Sequence, residues 1–294
     1  MSTLISSTAR DRIIARLPSR VTSTALLARR ELREAIRSRW FVLYAFALAI
    51  LGLGIAWVSS AAAGGAGLAG FGRTTAGLIN LVLLIVPLMG LTAGAGSIAS
   101  DRERGMLPYL LAQPIARAEL LLAKFIGIGG ALFACICLGL GASAAVLSLR
   151  GGAAGASGLL WLAMLSLFLA LAMLSLGLLI SVLARRVSVA IGTAVFVWLV
   201  LVFVTDLGLM AGTVALQLRI EELFALSLFN PLQVFKMWSL HAVDTSLDVL
   251  GPAGLYATEE FGRRLGAIFA GALAGWVIIP LAVAALTFRR RSVV

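Results

Sequence analysis

Six stretches of mostly apolar residues, at 40–60, 76–99, 125–149, 158–183, 189–210 and 265–288, each approach the ~20 residues that a helix needs to cross ~30 Å of hydrocarbon. Backbone inside lipid must satisfy its own hydrogen bonds, so single runs of this length specify helices. With 61% hydrophobic and 13% charged residues, the chain has too little polar surface to coat a soluble globule. It reads as an all-α integral membrane protein with six transmembrane helices, organised as one domain over 40–288.

The flanks of these runs are basic. Residues 1–23 carry Arg10, Arg12, Arg16 and Arg20 against Asp11 alone and are rich in Ser and Thr, so they are expected to be a disordered cytoplasmic tail, with a transit peptide the less favoured alternative. No cleavable signal peptide is visible, because the first apolar run starts at Trp40. Between 24 and 39, Ala28, Leu32, Ala35 and Ile36 recur at helical spacing, with Arg29, Arg30, Arg33 and Arg37 on other faces. That pattern predicts an amphipathic helix at the membrane surface.

One extended polar interruption, 100–124, separates the second and third runs. Its charges alternate through Asp101, Arg102, Glu103 and Arg104, and Gly105 then releases the backbone. A short helix can begin at Met106 because Pro108 would sit in its first turn, where a missing N–H costs little. Pro114 ends it, and a second helix can run from after Ile115 through Lys124 into the next span.

Orientation follows the cations. The N-terminal segment, the 100–124 loop, the Arg185-Arg186 turn and the basic tail 289–294 hold 18 of the 24 Lys and Arg. Both termini are therefore expected in the cytoplasm. On the opposite side, 211–264 is too long for a turn and too polar for a span, and is expected to be an extracytoplasmic helical element. Leu216, Ile220, Leu223 and Phe224 form one apolar face there, Asn230-Pro231 is a helix start, and 250–254 turns the chain back toward the last span.

Several function classes drop out. The net charge of +11 is accounted for by topology signals, and no basic soluble domain exists to bind nucleic acid. GxxxxGK[ST], HExxH and GxSxG are all missing, and His241 is the single histidine, so no catalytic, cofactor or metal residues are assigned and ATP is not expected to bind this chain. Gly65 to Gly70 match GxGxxG, but no strand precedes them in this Gly-rich 61–75 connection, and the match is discounted. Cys135 and Cys137 lie about 200° apart around a helix and cannot chelate one ion. Asp206 lies within an apolar run near its outer end and is either an intramembrane polar site or an interfacial residue. Gly90/Gly94 and Gly271/Gly275 have GxxxG spacing and allow close helix packing, without indicating which helices meet.

A resemblance adds to this reading. Glu103-Arg104-Gly105-Met106-Leu107, Leu110-Leu111, Gln113-Pro114-Ile115, Arg117, Glu119-Leu120 and Lys124 resemble the loop ahead of the third transmembrane helix in ABC-2 type transporter permeases, although Met106 stands where Thr is usual and Pro108 where Glu is common. The resemblance spans 24–288 and implies the six-helix ABC-2, type V exporter-like architecture. It also implies a cytoplasmic coupling helix that docks on a separate ATPase, with Asp101, Arg102, Glu103, Arg104, Gly105, Leu107, Tyr109 and Pro114 as the coupling residues.

Within the family, 230–236 (Asn-Pro-Leu-Gln-Val-Phe-Lys) and 248–256 (Asp-Val-Leu-Gly-Pro-Ala-Gly-Leu-Tyr) are similar to NosY-type permeases, which serve copper-site maturation of nitrous oxide reductase. That similarity implies a homodimer in the bacterial inner membrane, two cytoplasmic NosF-like ATPase subunits that bind ATP, and a periplasmic NosD-like accessory protein. Phe235 and Trp238 are expected to form an outward aromatic patch for that partner. Export of a small species and transmission of force are both compatible outputs, and an exporter of an unrelated small molecule, lipid or polysaccharide is the alternative.

Overall fold

The computed structural model describes the backbone of residues 20–62, 67–111, 116–151, 153–214, 219–242 and 260–290, without the side chains of 20–23, 56, 59–75, 111, 146–151, 153–157, 204–214, 220 and 263. Among these residues it is all-helical. In chain order the helices are α1 (Arg20–Arg37), α2 (Arg39–Ala62), α3 (Gly67–Glu103), the short α4 (Met106–Leu111), α5 (Arg117–Gly151), α6 (Ala153–Leu183), α7 (Val187–Val214), α8 (Ile220–Leu228) and α9 (Pro231–Ala242). A 3₁₀ turn (Gly262–Arg264) then leads into α10 (Leu265–Arg290).

Four described segments are long and apolar enough to cross a membrane: Ala76–Glu103, Arg117–Ala145, Gly158–Leu183 and Leu265–Arg290. The pair Thr24–Arg37 and Arg39–Ile55, bent by 63°, makes a fifth candidate, and Val187–Phe203 is a shorter apolar helix. The bend falls at Ser38, whose N–H reaches back to the Ala35 carbonyl at 3.0 Å, closing α1 before α2 begins. Prolines within α3 (Pro87) and α10 (Pro280) are accommodated inside continuous helices, as neighbouring helices in a membrane bundle allow.

Two expectations change. The Gly-rich 61–75 connection is shorter than the apolar runs imply: α2 continues to Ala62 and α3 begins at Gly67. Glycine's helix penalty of about 1 kcal/mol per residue is relative to alanine in water, whereas membrane helices tolerate it. The element 211–264 is likewise less separate than expected. Residues 211–214 prolong α7, and α9 packs into the bundle against α6, α10 and α3, burying Pro231 through Phe235 together with Met237, Ser239 and Leu240. Asn230 starts α9 as anticipated: its Oδ1 accepts the Leu232 N–H at 3.0 Å, and its Nδ2 donates to the Leu201 carbonyl on α7 at 2.7 Å. The turn expected at 250–254 lies outside the described residues.

Close backbone approach explains the core. On α3, a Cβ added to Gly90 would stand 2.8 Å from the Ala170 carbonyl oxygen of α6, and one on Gly94 would stand 2.6 Å from that of Leu174. Gly177 answers from α6, where a Cβ would lie 2.5 Å from the Leu91 oxygen. The Gly90/Gly94 pair thus joins α3 to α6 within one chain, where dispersion and small-residue packing drive association in lipid. A Cβ added to Gly271 or Gly275, by contrast, would meet no other helix among the described residues. Ser181 adds a polar link by accepting the backbone N–H groups of Ile98 and Ala99 at 3.0 and 2.9 Å. Cys135 is buried and Cys137 exposed, in keeping with their opposite positions around α5.

Candidate functional site at the 101–111 turn

The candidate site starts where α3 runs out of apolar residues. Arg104 N–H still bonds the Ser100 carbonyl at 3.0 Å and Gly105 N–H bonds that of Arg102 at 3.1 Å. Gly105 then takes φ +70°, a left-handed conformation that glycine adopts without a Cβ penalty and that commonly closes helices. The chain reverses into α4, which begins at Met106 with Pro108 inside its first turn, as the sequence predicts. Leu107 and Leu110, three apart, are 1% and 4% exposed and pack against α3, while Met106, Pro108 and Tyr109 face outward. Tyr109 is 67% exposed. The turn therefore presents a small apolar and aromatic tip on a fixed base.

The base is held by charges. Lys124, near the start of α5, is only 2% exposed and meets two carboxylates, Glu31 of α1 at 3.0 Å and Asp101 of α3 at 2.7 Å. Glu31 Oε1 accepts an aligned hydrogen bond; the Asp101 oxygen lies off such an axis and acts as a charge partner. A buried ammonium left alone would cost several kcal/mol, and two carboxylates offset that cost. The cluster ties the amphipathic helix, the end of α3 and the start of α5 to one point. Gly127 permits this approach, since a Cβ there would stand 2.5 Å from the Ala28 carbonyl oxygen of α1.

The next two residues reach across to the α6–α7 turn. Arg102 Nη1 donates to the Ala184 carbonyl, and Glu103 Oε2 accepts the Val187 N–H at 2.9 Å. Cation and anion are thus each placed on the helix end of opposite partial charge: Arg102 at the carbonyl end of α6, Glu103 at the N–H end of α7. Arg117 Nη1 similarly donates to the Phe288 and Arg289 carbonyls at 3.1 and 3.3 Å, fastening the start of α5 to the end of α10. Glu119 Oε2 accepts the Ala116 N–H at 3.0 Å and caps α5.

These contacts sort the sequence-derived residues. Asp101, Arg102 and Glu103 turn toward the protein's own helices, Leu107 is core, Gly105 makes the turn, and Arg104 and Tyr109 are exposed. Pro114 lies outside the described residues, and Asp206 belongs to α7 with its side chain outside them. The expected outward aromatic patch is corrected. Phe235 is 0% exposed within the core, and Trp238 is half-buried with its ring 6.3 Å from that of Phe168. Because α9 inserts between helices, its aromatic face points inward, and Leu226 and Phe229 at the α8–α9 corner are the exposed apolar residues there. Sequence reasoning missed Glu31, Lys124, Arg117 and Ser181 as organising residues. For Lys124 a signal existed, since a lysine at the mouth of an apolar run must find a carboxylate, but Glu31 lies 93 positions away.

Comparison with known proteins agrees with this architecture. The profile of ABC-2 family transporter proteins matches residues 25–293. The chain is 30% identical over 271 residues to the probable ABC transporter permease protein NosY of Stutzerimonas stutzeri, covering 90% of this chain and 97% of that relative. It is 32% identical over 283 residues to the protein of the same name from Pseudomonas aeruginosa, covering 91% and 98%.

Proposed function

The chain belongs to the ABC-2 family of transporter permeases, and from that premise we propose that it couples ATP hydrolysis by separate cytoplasmic ATPase subunits to work across the bacterial inner membrane. The observation that carries this reading is the division of labour at 101–111: an exposed Met106, Pro108 and Tyr109 tip on a base whose Asp101, Arg102 and Glu103 are bonded to three other helices. A partner pushing on the tip moves α3, α5 and the α6–α7 turn together, because each is joined to the same few residues. Two copies of the chain, each with six spans and cytoplasmic termini, would receive two NosF-like ATPases.

The work served is copper-site maturation of nitrous oxide reductase, with a NosD-like protein on the periplasmic side. Likeness to NosY permeases along nine-tenths of the chain supports this assignment. The deciding experiment is complementation of a strain lacking its own NosY-type permease, with the copper-site absorption of the purified reductase as readout. Restored colour is expected from the wild-type chain. A colourless reductase, with the protein present in the membrane and its ATPase bound, would overturn the copper role in favour of an exporter of unrelated cargo. Tyr109→Asp should release the ATPase on co-purification while the permease stays folded; undiminished ATPase recovery would overturn the coupling surface.

A further inference from the structure

α1 touches its own bundle along one side. Ala28 and Ala35 are buried, the Ala28 carbonyl meets α5 at Gly127, and Leu32 meets it at Gly130. Arg29, Arg30, Arg33 and Arg37 are all exposed. At ~100° per residue they fall within a sector of about 100°, on the side away from Ala28 and Ala35. Glu34 is the one exposed carboxylate of α1, and among the described residues no carboxylate pairs with any of the four guanidinium groups. Topology requires cations beside a span but not on one face of a helix, so their gathering has a further cause.

Depth and neighbours identify the partner. Gly127 and Gly130 lie only ~5 and ~9 Å beyond Lys124 along α5 at ~1.5 Å per residue, inside the apolar run that begins at Phe125. α1 therefore rests against the first turns of a span, and the 63° bend from α2 turns it toward the membrane plane. Leu26 and Ile36 are exposed among and beside the arginines, and Trp40, Leu43 and Phe46 carry exposed apolar surface along α2. Trp40 stands where aromatic residues mark a membrane–water boundary. Arginines interleaved with apolar residues suit that boundary, their stems lying along acyl chains while the guanidinium groups reach phosphate.

We propose that this face of α1 binds the headgroups of anionic phospholipids, and that Glu31 carries the contact inward. Glu31 pairs with Lys124, which also pairs with Asp101 at the root of the 101–111 turn. Lipid that fixes α1 thereby steadies the turn. A zwitterionic surface presents phosphates without net charge, so the arginines gain far less from it. The lipid assignment rests on α1 and does not depend on the coupling role or on the cargo.

The test places the full-length protein in nanodiscs of phosphatidylcholine, alone or mixed with phosphatidylglycerol, and follows amide hydrogen exchange. Exchange over 24–37 should be at least about fivefold slower with phosphatidylglycerol, the fold-change for one arginine held near an anionic surface. The difference should collapse in ~1 M salt, where the Debye length is ~3 Å. Arg29→Gln with Arg33→Gln and Arg37→Gln, all at exposed positions that leave the core intact, should lose the difference. Lysine at the same three positions should keep it, and Glu34→Gln should widen it. Exchange over 101–111 should slow in parallel, and Asp101→Ala should abolish that response while leaving the one at 24–37. Equal exchange over 24–37 in the two nanodiscs would overturn the lipid assignment, as would an undiminished response in the glutamine variant. A wild-type response confined to 24–37 would overturn the link through Glu31. Equal protection of 24–37 in phosphatidylcholine alone, on adding the co-purified ATPase, would reassign the arginines to an acidic protein surface and overturn the lipid assignment.

Discussion

Glu103 and Val187, 84 positions apart in the chain, meet where the Glu103 carboxylate accepts the first backbone N–H of α7 at 2.9 Å. An anion at a helix N-terminus contributes about 0.3–1 kcal/mol when exposed, and Glu103 is exposed. Its value is positional, because it fixes α7 to the 101–111 turn. Glu103→Arg should therefore lower thermal stability by roughly 1–2 kcal/mol, reversing a favourable charge–dipole contact and removing a cap. Arg104→Glu, on the same turn but without such a contact, should leave the melting temperature unchanged and weaken ATPase recovery. Identical melting curves for Glu103→Arg and wild type would show that the contact does not hold α7.

Lys124 gives a larger effect. Its two carboxylate partners come from α1 and α3, and removing one member of a buried ion cluster typically costs ~3–5 kcal/mol. Lys124→Met should unfold near the limit of purification, and adding Glu31→Gln with Asp101→Asn should recover much of the loss by removing the stranded charges. A triple variant no more stable than Lys124→Met would contradict the cluster. Glu31→Gln alone should detach α1 first, read as faster proteolysis within 20–37 while the spans stay protected.

The small-residue faces separate in the same way. A methyl at Gly94 would stand 2.6 Å from a backbone oxygen that cannot move aside, so Gly94→Ala should cost ~1–3 kcal/mol by overpacking. Gly271→Ala meets nothing among the described residues and should be neutral or gain up to ~1 kcal/mol from helix propensity. Denaturant titration of the two purified variants checks the contrast, and equal losses would place Gly271 against a second helix.

The sequence made the all-helical character and four long apolar spans legible because hydrocarbon thickness dictates run length, and the α4 start at Met106 because proline and glycine act locally. It also located Asn230 as a cap. What stayed hidden was tertiary. Lys124 finds Glu31 only once α1 folds back through the bend at Ser38, and Phe235 is buried only because α9 enters the bundle instead of lying on it. Amphipathic spacing specifies that a face is apolar and cannot say whether lipid, a partner or the protein's own helices cover it. The two GxxxG pairs make the same point, since one closes α3 on α6 and the other meets no other described helix.

Phe235 is therefore a stability residue, and its replacement must be read as such. Phe235→Ala empties a fully buried site and should cost ~3–5 kcal/mol. Phe229→Ala, at a residue 75% exposed, should stay within ~0.5 kcal/mol of wild type. Thermal unfolding of both in one detergent distinguishes them. A Phe235→Ala protein that melts like wild type would return that ring to the surface.

Orientation rests on charge and is open to direct chemistry. Arg102, Arg104, Arg117 and Lys124 surround the 101–111 turn, and Arg289 and Arg290 close α10 at the same end through Arg117. Cations flanking spans are retained on the cytoplasmic side, so this end should face inward. In a chain with Cys135 and Cys137 replaced by alanine, a cysteine at Tyr109, 67% exposed, should resist a membrane-impermeant maleimide in intact cells and react once the membrane is opened. A cysteine at Thr245, between α9 and α10, should react in both conditions. Labelling of Tyr109→Cys from outside intact cells, with Thr245→Cys protected, would invert the protein and with it the side on which an ATPase could reach α4.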